Sequence, residues 1–186
     1  MKKIIVSNLV SLDGYFKGPN ASIDWFKVDD EFLQYARDML DSMDTLLFGR
    51  VTYQMMASYW PMPHALESDP ETARRMNDLP KIVFSKTLTT VDWNNSRLVK
   101  NDMVAETKRL KQSNGSGKNM VILGSGSLVS EFSNLGLIDE YRIIVSPILI
   151  GDGTLMFRRI SRRIPLKLVR TQVLGSGVVI LYYHPE

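Results

Sequence analysis

Leu46-Leu47-Phe48-Gly49-Arg50-Val51-Thr52-Tyr53 carries a buried strand straight into a helix. The apolar run suits a strand covered on both faces, Gly49 lets the chain turn sharply, and helical spacing resumes at Val51. A strand that feeds a helix rather than a tight hairpin is half of a β–α–β unit, whose strands run parallel. Working outward, β-branched or all-apolar runs predict strands at 3–10, 45–49, 81–85, 119–124, 141–150, 166–174 and 177–183. Helical spacing predicts helices at 29–42, 51–58, 70–78, 102–112 and 126–135, with Asp102 capping the fourth. The first five strands alternate with helices, which favours an α/β layered fold with a mostly parallel sheet flanked by helices. The last two are adjacent around Gly175-Ser176-Gly177 and predict an antiparallel C-terminal hairpin. Pro61 to Pro70 reads as an irregular excursion. Ser113 to Lys118 reads as a solvated turn, because its Gly-Lys lacks the spacing of a phosphate loop. Nothing of linker character interrupts 1–186, so one domain is expected.

Composition narrows the chemistry. The chain has 186 residues, 44% hydrophobic and 23% charged, enough for a core without covalent staples. Zero cysteines exclude disulfides, thiolate metal sites and cysteine nucleophiles, and two histidines (His64, His184) argue against a His-rich metal site. Lys and Arg number 23 against 20 Asp and Glu, and the resulting +3 suits an anionic ligand without arguing for nucleic acid. The apolar start Ile4-Ile5-Val6 meets Ser7-Asn8 too soon for a signal peptide, and no stretch of 18 apolar residues occurs. A cytoplasmic protein without membrane association is expected.

Three strand ends carry small or polar residues, and each admits two readings. At Gly49-Arg50-Val51-Thr52, free amides at a helix start plus a guanidinium suit a phosphate; the bland reading is a tight turn and a solvated Arg50. At Leu123-Gly124-Ser125-Gly126-Ser127-Leu128, glycines let backbone approach a pyrophosphate, or the segment is a turn into a helix capped by Ser127. As a dinucleotide fingerprint it lacks a third glycine, where Val129 stands. At Ser85-Lys86-Thr87, hydroxyls and a cation suit a phosphate monoester, or form an ordinary turn. Together the three point to a dinucleotide.

These segments, with Ser11-Leu12-Asp13-Gly14-Tyr15, Gly18-Pro19-Asn20 through Asp24-Trp25, Met76 to Leu88, Gly136 to Tyr141 and Pro147 to Gly153, follow one order over nearly the whole chain. They resemble the dihydrofolate reductase-like superfamily, and within it the reductase domain of bacterial riboflavin biosynthesis and its small stand-alone relatives. The resemblance implies NADPH as hydride donor, a small heterocyclic substrate and commonly a homodimer. It implies pyrophosphate contacts from Gly49, Arg50, Val51 and Thr52 and from Gly124, Ser125, Gly126, Ser127 and Leu128. Ser85 and Lys86 would then lie by the adenosine ribose and its 2′-phosphate. Val6, Asn8 and Leu9 would line the nicotinamide and substrate cleft, under a lid from Asp13 to Trp25, with Trp25 touching the ligand.

A proton donor for hydride transfer is sought among carboxylates. The family places one on the first helix, five residues after the lid tryptophan. Counting from Trp25 gives Asp30, while counting back from Gly49-Arg50 gives Leu33. Asp29 and Asp30 also suit the acidic first turn of a helix. Asp13 is the second candidate, with a turn-forming reading beside it. Asp152 and Asp139-Glu140 read as turn and boundary residues. Met39, Met43, Met55 and Met56 read as core filling. The Arg158-Arg159 to Arg162-Arg163 run reads as a solvated face or one turned to a substrate phosphate. The reading is an NADPH-dependent reductase, with a nucleotide-binding protein that has lost the chemistry as the alternative.

Overall fold

The structure, a computed structural model, describes residues 1–113 and 117–186. Residues 114–116 of the turn expected at 113–118 therefore lie outside the described residues.

The sheet has eight strands in the order β5-β4-β3-β6-β1-β7-β10-β9. These are β1 (Ile4–Ser11), β3 (Met43–Gly49), β4 (Lys81–Phe84), β5 (Ser96–Val99), β6 (Asn119–Leu123), β7 (Glu140–Ser146), β9 (Leu166–Val173) and β10 (Val179–Pro185). From β5 to β7 every neighbouring pair is parallel, and β10 is antiparallel to both β7 and β9. A two-stranded ribbon of β2 (Tyr15–Lys17) and β8 (Thr154–Leu155) stands apart from it. The helices are α1 (Asp30–Asp41), α2 (Arg50–Ala57), α3 (Pro63–Ser68), α4 (Pro70–Asp78), α5 (Met103–Gln112) and α6 (Gly126–Asn134).

Alternation along β3 sorts the layers. Leu46 and Phe48 face a core shared with Tyr35, Met39 and Leu40 of α1 and Met76 of α4. Leu47 faces the opposite core, with Leu110 of α5 and Leu128, Val129 and Phe132 of α6. Both faces of a parallel sheet are thereby covered, as its unbroken apolar strands require.

The mixed sheet and C-terminal hairpin follow the expectation; the β2–β8 ribbon is an addition, and four further local differences occur. β5 has no apolar strand signal, because Ser96-Arg97-Leu98-Val99 is an edge strand with a charged member. The excursion at 61–70 contains α3, started by Pro63 at its first position. β7 stops at Ser146 because Pro147 has no N–H to continue the ladder. Met55 is 36% exposed, so it does not fill the core as Met39 and Met43 do.

Lys81 opens β4 with no exposed surface. Its ammonium donates to the carbonyls of Asn77 (2.8 Å), Leu79 (2.8 Å) and Asn94 (2.9 Å) and lies 4.4 Å from the Trp93 ring centroid. Burial pushes its pKa down to about 8, so the cation persists at neutral pH with all three protons donated. One side chain thus ties the end of α4 and the loop before β5 to the sheet. Lys81→Met keeps the stem but orphans three carbonyls, and is expected to lower unfolding free energy by about 3 kcal/mol in urea titrations at pH 7.

Candidate functional site

β3 and β6 are sheet neighbours, so the turns that leave them meet at one edge. The fit is close: a Cβ on Gly49 would collide with Ser125 Oγ, and one on Gly124 would lie 2.9 Å from Thr52 Cγ2. Gly124 (φ 65°) and Ser125 (φ 62°) are both left-handed, which swings the chain abruptly into α6.

Helix capping separates these two junctions from others in the fold. Asp29, Asp69 and Asp102 accept first-turn amides of α1, α4 and α5, at 2.8, 3.2 and 2.9 Å. At α2 and α6 the cap residues are Gly49 and Ser125, and neither side chain caps the helix. Their first-turn amides are left for a ligand or solvent, and both helix dipoles present positive ends to the same edge.

A cleft of about 410 Å³ opens there. Thr52, Ser125 and Ser127 lie on its α2 and α6 side, Phe16 and Lys17 of β2 with Leu155 and Met156 roof it, and Arg158 and Arg159 close one end. Phe16 presses on the start of α6, where a Cβ on Gly126 would lie 3.0 Å from its ring. No carboxylate is among the described residues lining this cleft. Across Val51 and Ser127 a hollow of about 190 Å³ continues, lined by Arg50, Phe84, Leu128 and Glu131. Arg50 is exposed and its guanidinium donates to Gln54 Oε1 at 3.2 Å. Gly49, Arg50, Val51, Thr52 and Ser125 to Leu128 are therefore gathered at one place, with Gly124 behind them.

The other expected residues are placed differently. Val6 is completely buried in the α5–α6 core, so its side chain cannot touch a ligand; the strand's alternation points it inward. Leu9 packs half-buried against the opposite core. Asn8, 3% exposed, accepts from Gly124 N–H at 2.5 Å and donates to Met156 Sδ at 3.4 Å. Ser85 follows β4 on the same edge, where its hydroxyl accepts from the amides of Thr87 (3.2 Å) and Leu88 (3.1 Å); Lys86 is exposed beside it. Trp25 turns to its own loop, donating to Ser22 O at 3.3 Å and meeting Phe26 edge-on at 4.4 Å. It lines neither hollow.

Both acid candidates fare poorly as proton donors. Asp30 is the exposed first residue of α1 and lines neither hollow, so it is first-turn chemistry beside its capping neighbour Asp29. Asp13 accepts from Ser11 Oγ (2.6 Å), Ile150 N–H (3.1 Å) and Gly151 N–H (2.8 Å). The Ser11 hydroxyl first, and then these amides, hold its carboxyl below the usual range of about 3.8. A carboxylate so occupied is a latch between the turn after β1 and the loop before β8. Leu33, where the second count lands, has no acidic proton.

Sequence reading missed Phe16, Lys17 and Met156, which reach the cleft only through the β2–β8 pairing of distant segments. Arg158 and Arg159 belong to the run read as a solvated face or one turned to a substrate phosphate, and both line the cleft. A further hollow of about 500 Å³ lies on the opposite side of the sheet, between α1 and β7, β9 and β10, with Tyr35, Arg142 and Tyr182 in its wall. Burial pushes the Tyr35 phenol up to about 12.

Residues 2–180 match the RibD C-terminal domain. The chain belongs to that family. It is 33% identical over 183 residues to the uncharacterized protein YyaP of Bacillus subtilis strain 168, spanning 98% of this chain and 95% of YyaP. The crystal structure of a putative riboflavin biosynthesis protein from Shewanella sp. PV-4 superposes with a TM-score of 0.76 at 26% identity, covering 99% of both chains. Dihydrofolate reductase from Enterococcus faecalis, complexed with NADP(H), superposes with a TM-score of 0.65 at 13% identity, over 99% of this chain and 96% of that one. This RibD C-terminal domain thus has the dihydrofolate reductase-like fold, and its fold relatives include reductases. None of its described helices is long and apolar enough to cross a membrane.

Asp13→Ala is expected to speed amide exchange at Ile150 and Gly151 and to expose the loop to proteolysis. Because the folded pKa is depressed, the latch is complete above the ordinary carboxyl value and is lost as pH falls through the folded one. Wild-type protection at these two amides, taken relative to their intrinsic exchange at each pH, should therefore fall below about pH 4, while the variant's should be low at every pH.

Proposed function

We propose that this chain is an NADPH-dependent reductase that transfers a hydride to a small pyrimidine- or pterin-like heterocycle, acting as one cytoplasmic domain over 1–186. The observation that carries this reading is the meeting of two helix starts without side-chain caps, those of α2 and α6, at one edge beside Lys17, Arg158 and Arg159. Lys17 lies 5.7 Å over the Phe16 ring, and none of these three cations has an ion pair among the described residues. Such a set of donors fits a pyrophosphate better than any neutral ligand.

When bound, NADPH supplies the hydride. The first turns of α2 and α6 and the Arg50 fork hold the pyrophosphate, and Ser85 and Lys86 face the 2′-phosphate. Phe16, Leu155 and Met156 keep water from the cleft. With no carboxyl among the described residues lining this cleft, the proton that completes the reduction comes from solvent water. That same gap favours a second reading, a nucleotide-binding protein without catalysis.

The assembly proposed with this function is a homodimer through β9. This strand ends the sheet, so its outer backbone edge is unpaired, and Leu166, Leu168, Val169 and Val173 are 38–70% exposed along it. An edge this apolar needs a cover.

Titration with NADPH, read by cofactor fluorescence, should show saturable binding; none below about 1 mM sinks the reductase reading. Arg50→Ala should weaken that binding by about 1–3 kcal/mol. Tight binding with no NADPH oxidation across pterins, folates and pyrimidines would select the second reading. In sedimentation velocity, wild type should run as a dimer and Leu168→Asp with Val169→Asp as a monomer.

A further inference from the structure

The parallel ladder between β1 and β6 ends at the Ser7–Leu123 pair. One residue further on, the backbone can no longer pair, and the Asn8 side chain takes over: its Oδ1 accepts the Gly124 N–H at 2.5 Å. Gly124 and Ser125 are consecutive left-handed residues, and for Ser125 that conformation is sterically unfavourable. The turn is thus held against its own preference. The amide end of Asn8 donates to Met156 Sδ at 3.4 Å, which ties the same side chain to the roof. At 3% exposure, water does not substitute freely for either contact.

Resting on the proposed NADPH site, we infer that Asn8 is a positioning residue for it. Its carboxamide locks the Gly124–Ser125 turn so that the first amides of α6 face the pyrophosphate, and draws Met156 over the cleft. Touching the phosphates is left to the helix; Asn8 sets where the helix begins. Preorganised donors bind more tightly because their ordering precedes binding.

The test compares wild type, Asn8→Ala and Asn8→Thr. The threonine variant is closer in volume and guards against misfolding, and its hydroxyl is too short to reach Gly124. NADPH affinity and that of adenosine 2′-monophosphate are measured by calorimetry, with amide exchange across 124–128 and thermal midpoint alongside. In both variants NADPH affinity should fall by at least about tenfold, the scale of one lost buried contact. Exchange across 124–128 should accelerate. Adenosine 2′-monophosphate, which addresses only the Ser85–Lys86 end, should bind within about twofold of wild type, as for a distant independent site. Unchanged NADPH affinity in a folded variant overturns the inference. So does an equal loss for both ligands with a lowered thermal midpoint, which marks general structural damage. A wild-type protein that binds no NADPH refutes the cofactor site itself, a different outcome from wild-type binding that Asn8→Ala leaves untouched.

Discussion

The neighbourhood of β3 and β6 is the constraint on which the rest depends. Parallel strands deliver their following helices to the same edge, and two adjacent strands deliver two helix starts close together. Gly49 and Gly124 permit the approach, since side chains at either position would strike Ser125 or Thr52. The concentration of backbone donors is therefore a product of strand order, which no local motif contains. Its electrostatic value comes from what the sequence withholds: aspartate caps appear at α1, α4 and α5 and are missing, as also at the six-residue α3, at α2 and α6. A carboxylate at either would occupy the donors and repel an anionic ligand.

Much of this is legible in the sequence. Unbroken apolar runs such as Leu46-Leu47-Phe48 belong to strands buried on both sides, and their alternation with helical spacing leaves few topologies. The glycine-bearing strand ends were legible for the same reason, because close backbone approach leaves a compositional trace. What stayed hidden depends on distant pairing. Tyr15–Lys17 and Thr154–Leu155 are too short to announce themselves as strands, so the roof and its lining side chains had no local signature. β5 was lost because an edge strand need not be apolar. The acids misled for a related reason: Asp13 and Asp30 look alike in sequence, while one is saturated by amides and the other faces solvent.

Val6, Asn8 and Leu9 show how finely such assignments divide. All three lie on the strand expected to line the cleft, yet one is sealed in a core, one braces a turn and one packs against the other layer. Naming a strand as part of a site selects at most every second side chain, and burial then removes some of those. Side chains that act on a ligand by holding its binding backbone are the hardest to recognise, because their partners lie more than a hundred residues away.

β1 is the first strand in the chain and sits between β6 and β7, partners that begin at Asn119 and Glu140. During synthesis it waits for more than a hundred further residues before either neighbour exists. The sheet's centre is therefore closed by contacts of long sequence separation, which slows folding and leaves an apolar strand exposed in the nascent chain. The bed on which a nucleotide would rest is completed only once β6 and β7 have followed β1 out, so ligand capture would report that the sheet's centre has closed.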